Sequence, residues 1–592
     1  MDRLKRTLLI IVVLCSKQMG FTQNNTIRNT DNTLLNSNPE KLFLHCNATT
    51  FVTGETLYYK LYSLNPIKTT AMTVSKIAYI ELVSEDNKII FLQKLFLENG
   101  LGQGDFFVPS TLKTGNYKLV AYTNWMLNKS ETEIFQINIS IINPYQTPEN
   151  TVAITDKETA VLVSGSAISA NNHTTENPVE KDNFTFELNQ KTVATREKLV
   201  LKIKPLSQMI EKGNYSLSIR KIDSLPCQKQ ITAKEYKSTW ANNSQNTTYP
   251  TKKLILPELR GEMIAGSIVA KNGTDNIQNK TIALSLPGKN FALKITNTNA
   301  VGKFIFNLEK ANYSPNLVVQ VVGEDRNNYS IQLDELKGIK YPSNVANPPL
   351  ELTPNLKNSI LQRSIATQIQ NGYYSKKTDS IVDTITNDTF FKSMAKEYVL
   401  DDYKRFPSLQ ETITEVVFEM YYRKNGENFT IGLRDYNTTV QVPGNPLVLV
   451  DGLFIQNFNE LFEFSTNKIS KISIVPGGYF YGSQLFNGVI SFTTKNQDFI
   501  SKQSGTYILN TTILRPSVKK EYFTPDYTDK YKLERIPDYR YQLLWIPQLN
   551  LNSMENPISF YTSDVTGTFE ITLEGFTDKA IPVSLKGTFE VQ

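Results

Sequence analysis

The chain has 592 residues, 40% of them hydrophobic, enough for several domains each with its own core. Its formal net charge is only +6, and about half of that sits in residues 1–22 (Arg3, Lys5, Arg6 and Lys17 against Asp2), which leaves no basic stripe of the kind that grips nucleic acid. With two histidines and three cysteines, neither a clustered His/Cys metal centre nor a disulfide framework organises the fold.

The N-terminus predicts a signal peptide over 1–22. A basic cluster (Arg3, Lys5, Arg6) precedes an apolar run from Leu8 to Leu14, and Gly20 and Thr22 supply small residues at −3 and −1 for a cut before Gln23. The run is too short to span a bilayer, which takes about 20 apolar residues. Cys15 offers a second reading, lipidation, against which Leu14 stands where a small residue is wanted. No later run is long enough for a helical span, so the expectation is an exported chain with no transmembrane segment of its own. Cys46 and Cys227 fall in different expected domains and read as two buried free thiols, with pairing the alternative.

In chain order, 38–146 shows short alternating runs ("KIAYIEL", "KIIFLQKLFL", "NYKLVAY") separated by turn-rich pieces, the pattern of a β-sandwich. After a polar linker from Ser164 to Asp182, residues 183–256 repeat the style ("NFTFELN", "EKLVLKIKP", "NYSLSIRKI") and predict a second sandwich, and 257–340 a third. Residues 341–400 read as a connector, Pro/Asn-rich at first and with little clear period from Leu361 to Asp388. Ser408 and Glu411 then stand as N-cap and N3 of a helix, with Leu409, Ile413, Val416, Val417 and Met420 as its core stripe. "PLVLVDG" and "KISIV" read as strands of a small α/β domain over 401–498, Asp451-Gly452 being a tight-turn pair. Residues 499–592 predict a further β segment. The fold class is therefore mainly β: tandem sandwiches plus one small α/β domain.

Several of these pieces resemble known families. "PEKLFLHCNATTFVTGETLYYKLY" with "LGQGDFFVPSTLKTGNYKLVAYTNWM" resembles a macroglobulin-type domain, and 499–592 resembles the closing strands of such a sandwich. Gly261 to Leu308 resembles the carboxypeptidase-regulatory-like sandwich that precedes the plug of TonB-dependent receptors. Asn445 to Lys495, with "PLVLVDG", "ISKISIV" and "YGSQLFNGVISFTTK", resembles the plug itself. A receptor barrel needs roughly 22 strands of about 9 to 11 residues, more than the stretch from Lys495 to Gln592 holds. The resemblance thus implies a plug-like domain without a barrel. The macroglobulin thioester motif "GCGEQ" is absent, which excludes covalent protease trapping.

The stretch Pro476, Gly477, Gly478, Tyr479, Phe480, Tyr481, Gly482 and Ser483 is the expected contact loop, because two adjacent glycines make it compliant and three aromatics in a row cannot all face one core. At least one ring points outward; alternatively, alternate rings pack under the sheet and the middle one is incidental. Enzyme readings fare badly. His173 lies in the polar linker, His45 reads as a satisfied core histidine, and no "GxSxG" elbow or phosphate-cradling glycine loop occurs. No catalytic residue, cofactor or metal is assigned. Two functions are carried forward. The first is a non-catalytic accessory protein at the periplasmic face of the outer membrane or the cell surface, whose plug-like and sandwich domains bind or occlude a β-barrel such as a TonB-dependent receptor or a type 9 secretion translocon. The second is a periplasmic or surface carbohydrate- or protein-binding protein that uses the plug only as an interaction fold.

Overall fold

The structure is a computed structural model that describes residues 39–592 apart from 68–73, 129–132, 147–151, 155–183, 207–211, 241–253, 310–313, 337, 340, 342–349, 383–388, 435–442, 529–534 and 552. The signal-peptide reading, Cys15, the polar linker and His173 lie outside the described residues. The chain forms two compact units: Met1–Leu259, Ile339–Val382 and Lys519–Gln592 make one, Arg260–Gly338 and Asp383–Val518 the other.

In the first unit, alternation at period two builds the expected sandwich over the first segment. Strands Lys41–Cys46, Thr56–Leu64 and Leu101–Phe107 form one sheet; Thr50–Val52, Phe135–Ile142, Gly115–Tyr122, Ile77–Ser84 and Ile89–Phe96, in that order, form the other. Leu57, Tyr59 and Leu61 point into the core between them. The three-stranded sheet is buried on its other face too. Phe43 and Tyr62 meet Phe576 at ring distances of 5.6 and 5.5 Å, and His45 meets Trp545 at 5.3 Å.

Those partners belong to a second sandwich, and here the expected boundaries are corrected. Lys198–Pro205 lies between Phe184–Leu188 and Asn556–Tyr561, while Gly213–Lys221 lies between Gln542–Asn550 and Gly567–Thr577, with Pro582–Val591 beyond. Neither 183–256 nor 499–592 is a sandwich by itself, because each supplies strands whose apolar faces only the other can cover. Past Lys221 the chain instead straps the first sandwich. Thr49 and Thr50 donate to the carbonyls of Gln228 and Pro226 (2.7 and 2.5 Å), and the short helix Ala233–Ser238, boxed by Thr232 and Glu235, lays Tyr236 on Phe43 and Phe135.

The connector reading of 341–400 also changes. Lys357–Gly372 is a helix of the first unit whose buried residues are Arg363, Ser364 and Ala366, so it docks through a polar face and shows Leu361 and Ile365 to solvent. No apolar stripe marks it, which is why its period is invisible in the sequence.

In the second unit, the third sandwich sets Lys303–Leu308, Glu262–Ala270 and Tyr329–Leu333 against Ala292–Asn297, Thr281–Leu286, Asn316–Val322 and Ile508–Thr512. Its last strand comes from beyond the α/β domain, a second correction to the reading of 499–592; the buried Arg515–Glu262 ion pair fixes this returning chain to the sandwich. The α/β domain is a mixed sheet in the order Lys396–Val399, Ile469–Tyr481, Gln484–Thr494, Leu447–Val450, Leu453–Phe454, so its first strand lies inside the segment read as connector. Ile472, Ile474, Val448, Val450, Ile490 and Phe492 face the helices Leu409–Glu415 and Asn459–Glu463. Leu447, Leu449, Val475 and Val489 face Ala283 and Leu293 of the third sandwich. The Ser408/Glu411 capping box is present. The helix stops at Glu415, however; Val416 and Val417 reach the same core from the turn that follows, and Met420 from the start of the strand Met420–Asn425.

Candidate functional site

The expected contact loop is not a loop. Strand Ile469–Tyr481 runs through it and pairs with Gln484–Thr494, leaving Gly482-Ser483 as a two-residue turn between the opposed Tyr481 and Gln484. Gly482 has φ +60° and Ser483 does not have positive φ, which fits the II′ geometry that matches strand twist. The ladder slips between Val475 and Gly478, where Pro476 and Gly477 bulge opposite Gly488. Gly488 has φ +86°, and a Cβ there would stand 2.4 Å from the Val475 carbonyl oxygen, so only glycine fits. Proline is tolerated because a bulge asks nothing of its missing N–H.

Beyond the bulge, alternation sorts the aromatics. Tyr479 and Tyr481 turn inward, where their hydroxyls donate to the carbonyls of Phe390 (3.1 Å), in the segment before Lys396–Val399, and of Leu293 (2.6 Å), in the third sandwich, and Tyr481 lies 4.2 Å from the Phe390 ring. Burial pushes the Tyr481 hydroxyl well above the usual tyrosine range. Ser483 donates to Asn297 Oδ1 (2.9 Å) and Gln484 Nε2 to Thr281 Oγ1 (2.8 Å), so the tip is tied down on one side. Phe480 points the other way and is 78% exposed. Its cross-strand partner is Leu485, 42% exposed, a residue the sequence reading passed over although the same alternation places it. The result is a braced hairpin tip with an outward apolar pair. It offers contact area and no reactive group.

His45 is sealed. Its Nδ1 lies 2.7 Å from Ser216 Oγ, His45 is 1% and Ser216 0% exposed, and burial, aided by the charge of Lys586, lowers the imidazole to about 3. A neutral ring and a hydroxyl with no solvent access present no nucleophile to a substrate. Among the described residues no group of three or more His, Cys, Asp or Glu is placed to hold a metal ion, and no helix is long and apolar enough to cross a membrane. Cys46 and Cys227 are free thiols; Cys46 is buried as expected, whereas Cys227 is exposed.

No family model matches the chain, and no curated protein matches it. Among solved structures it is similar to Escherichia coli alpha-2-macroglobulin activated by porcine elastase (8% identity, TM-score 0.23, 93% of this chain and 44% of that one). It is also similar to Salmonella alpha-2-macroglobulin reacted with methylamine (9%, 0.22, 93% and 39%) and to the native conformation of the E. coli protein (10%, 0.23, 94% and 40%). The chain spans less than half the length of these neighbours. The mainly β fold class rests on the strands and sheets described above.

Proposed function

We propose that the chain is a non-catalytic, outer-membrane-associated accessory protein that engages a β-barrel partner through the hairpin tip of its α/β domain. The outward pair Phe480/Leu485 on a braced hairpin supports this reading. Tyr479 and Tyr481 spend their hydroxyls on holding the strand, which leaves Phe480 pre-positioned in solvent with no packing role. Aromatics held rigid in this way lose little entropy on binding and dominate interface energetics. The plug-like resemblance of Asn445 to Lys495 supplies the partner class, a receptor or translocon barrel. Mild-detergent extraction of cells carrying the tagged chain tests it: a β-barrel protein should co-purify with the wild type and be depleted with Phe480→Ala. Recovery of an unrelated soluble protein or glycan in its place would favour the alternative binding role.

A further inference from the structure

Lys60 lies in strand Thr56–Leu64 with no exposed surface, and its Nζ has no hydrogen-bond partner. Register sets it between His45 and Gln103, and directly opposed residues share a sheet face. From that face Gln103 Nε2 donates to the Lys520 carbonyl (2.6 Å), Asp105 accepts from Lys520 Nζ (3.0 and 2.9 Å) and from the Tyr522 hydroxyl (3.2 Å), and Tyr522 packs edge-on against Tyr58 at 4.7 Å. Lys520–Glu521 is one strand of a minimal ribbon paired antiparallel with Ser380–Ile381 and continued by the Val382 N–H to the Lys519 carbonyl (2.9 Å). These residues adjoin the points where the chain leaves the first unit after Val382 and re-enters it at Lys519. A ribbon two residues long thus lies over a buried amine that has no hydrogen-bond partner and only the Tyr62 ring, 5.5 Å from its Nζ, as a cation–π contact.

An ammonium at this place would lose its hydration at a cost of several kcal/mol, and the charges around it do not repay that. Glu98 is engaged with Lys519 (3.2 Å) and Asp105 with Lys520. His45 is held neutral, and burial keeps Tyr58, Tyr62 and Tyr522 protonated. Burial first, then the Lys519 charge, holds the Lys60 amine well below the usual lysine range, with Glu98 pulling the other way. Of the elements over this face, the sheet carrying Trp545 is locked into the core of the second sandwich, whereas the ribbon leaves Ile381 61% exposed. The ribbon is the cover that yields.

We propose that the ribbon Ser380–Ile381/Lys520–Glu521 is an acid-labile clasp, seated while the Lys60 amine beneath it is uncharged and lifted when Lys60 takes a proton. The sign follows from linkage: a lysine depressed in the seated state binds a proton more readily once uncovered, so seating strengthens as pH rises and weakens as it falls. Asp379 is the other titrating group at this seat and works in the opposite sense, because a carboxyl raised in the seated state favours seating when it takes a proton. Its Oδ1 accepts the Phe523 N–H at 3.0 Å, and burial raises its carboxyl.

Hydrogen exchange on the full chain between pH 5.5 and 9, with intrinsic exchange rates divided out, reads the clasp at the amides of Val382 and Phe523. In the wild type their protection should fall on acidification by up to about tenfold per pH unit, while the amides of Leu57–Leu61 hold theirs. Lys60→Met should be better protected and lose the pH dependence; Lys60→Leu gives the same comparison if methionine does not fold. Asp379→Asn should keep it. Ribbon protection independent of pH in the wild type overturns the proposal without any variant, and so does a slope that survives Lys60→Met but vanishes in Asp379→Asn.

Discussion

Arg363 closes its Nε and Nη2 on the two carboxylate oxygens of Glu55, at 2.7 and 2.8 Å. Nη2 also donates to the Thr50 carbonyl (2.6 Å) and Nη1 to Asp223 (3.1 Å), while Arg220 reaches Glu55 at 3.2 Å. One buried arginine of the helix Lys357–Gly372 therefore ties the first sandwich, through Thr50 and Glu55, to the chain leaving the second, through Arg220 and Asp223.

Removing that arginine leaves two carboxylates with only Arg220, 3.2 Å from Glu55, to compensate them. Arg363→Met should cost about 3–5 kcal/mol, read as a lowered denaturant midpoint with an unchanged m-value. Arg363→Lys should recover little, since a point charge cannot make the bidentate contact. The double variant Glu55→Gln/Arg363→Met should be less damaged than the single one. Burial pushes the Glu55 carboxyl up, but Arg363 and Arg220 outweigh it and the net is a lowered value. Its contribution is thus present above the ordinary carboxylate range and lost as pH falls through its folded value.

This network was illegible in the sequence because Glu55, Asp223 and Arg363 are ordinary charges in segments far apart, and burial of a charge leaves no periodic trace. The short local signals did better. Asp451-Gly452 makes the expected tight turn, with φ +48° and +84° between the opposed Val450 and Leu453, and the Ser408/Glu411 box caps its helix. Short alternating runs such as "NYKLVAY" became strands because period two is a local property. Which strands share a sandwich is not local: Lys198–Pro205 pairs with Asn556–Tyr561, and Asn316–Val322 with Ile508–Thr512. At the hairpin, three adjacent aromatics pointed to one outward ring, but the bulge at Pro476-Gly477 decides which one.

Phe480 should be nearly silent in folding. At 78% exposed its change to Ala belongs with surface substitutions, within about 0.5 kcal/mol, whereas Tyr481→Ala removes a packed ring and a hydroxyl donor and should cost about 3–5 kcal/mol. If Phe480 anchors a partner, the same Ala change weakens binding by about 1–3 kcal/mol. Thermal melts of both variants beside barrel recovery from detergent extracts check this. A Phe480→Ala protein that melts normally and retains the barrel would remove the hairpin as the contact.

A chain ended at Val518 should lose the second sandwich outright. Four of its strands, Gln542–Asn550, Asn556–Tyr561, Gly567–Thr577 and Pro582–Val591, lie beyond that point. With them go Phe560, Phe569, Ile571, Leu573 and Phe589 from its core. At about 1.5–3 kcal/mol per buried apolar side chain, five such losses come to about 8–15 kcal/mol, the size of the 5–15 kcal/mol that separates most domains from unfolding. Hydrogen exchange should find Lys198–Pro205 and Gly213–Lys221 unprotected in the truncated chain. Protection retained there would mean that 184–221 orders without its partners.

Glu574 and His45 should set opposing pH slopes on the stability of the first unit. Burial raises the Glu574 carboxyl to about 7, although Ser584 and the Ala233 N–H donate to it, and burial lowers His45 to about 3. A raised carboxyl leaves the fold most stable below its unfolded value of 4.5 and destabilises it as pH climbs to about 7; a depressed imidazole favours the fold above 6.5 and costs stability as pH falls toward 3. Between 4.5 and 6.5 the two slopes cancel, each having a limit of about 1.4 kcal/mol per pH unit. Glu574→Gln keeps a hydrogen-bonding side chain and removes one slope. The stability difference between that variant and the wild type, from urea midpoints at matched pH, should therefore grow in the variant's favour from pH 4.5 to 7 and level off above. Every other titrating group cancels in this difference, so a flat profile would mean that Glu574 does not hold its proton in the folded chain.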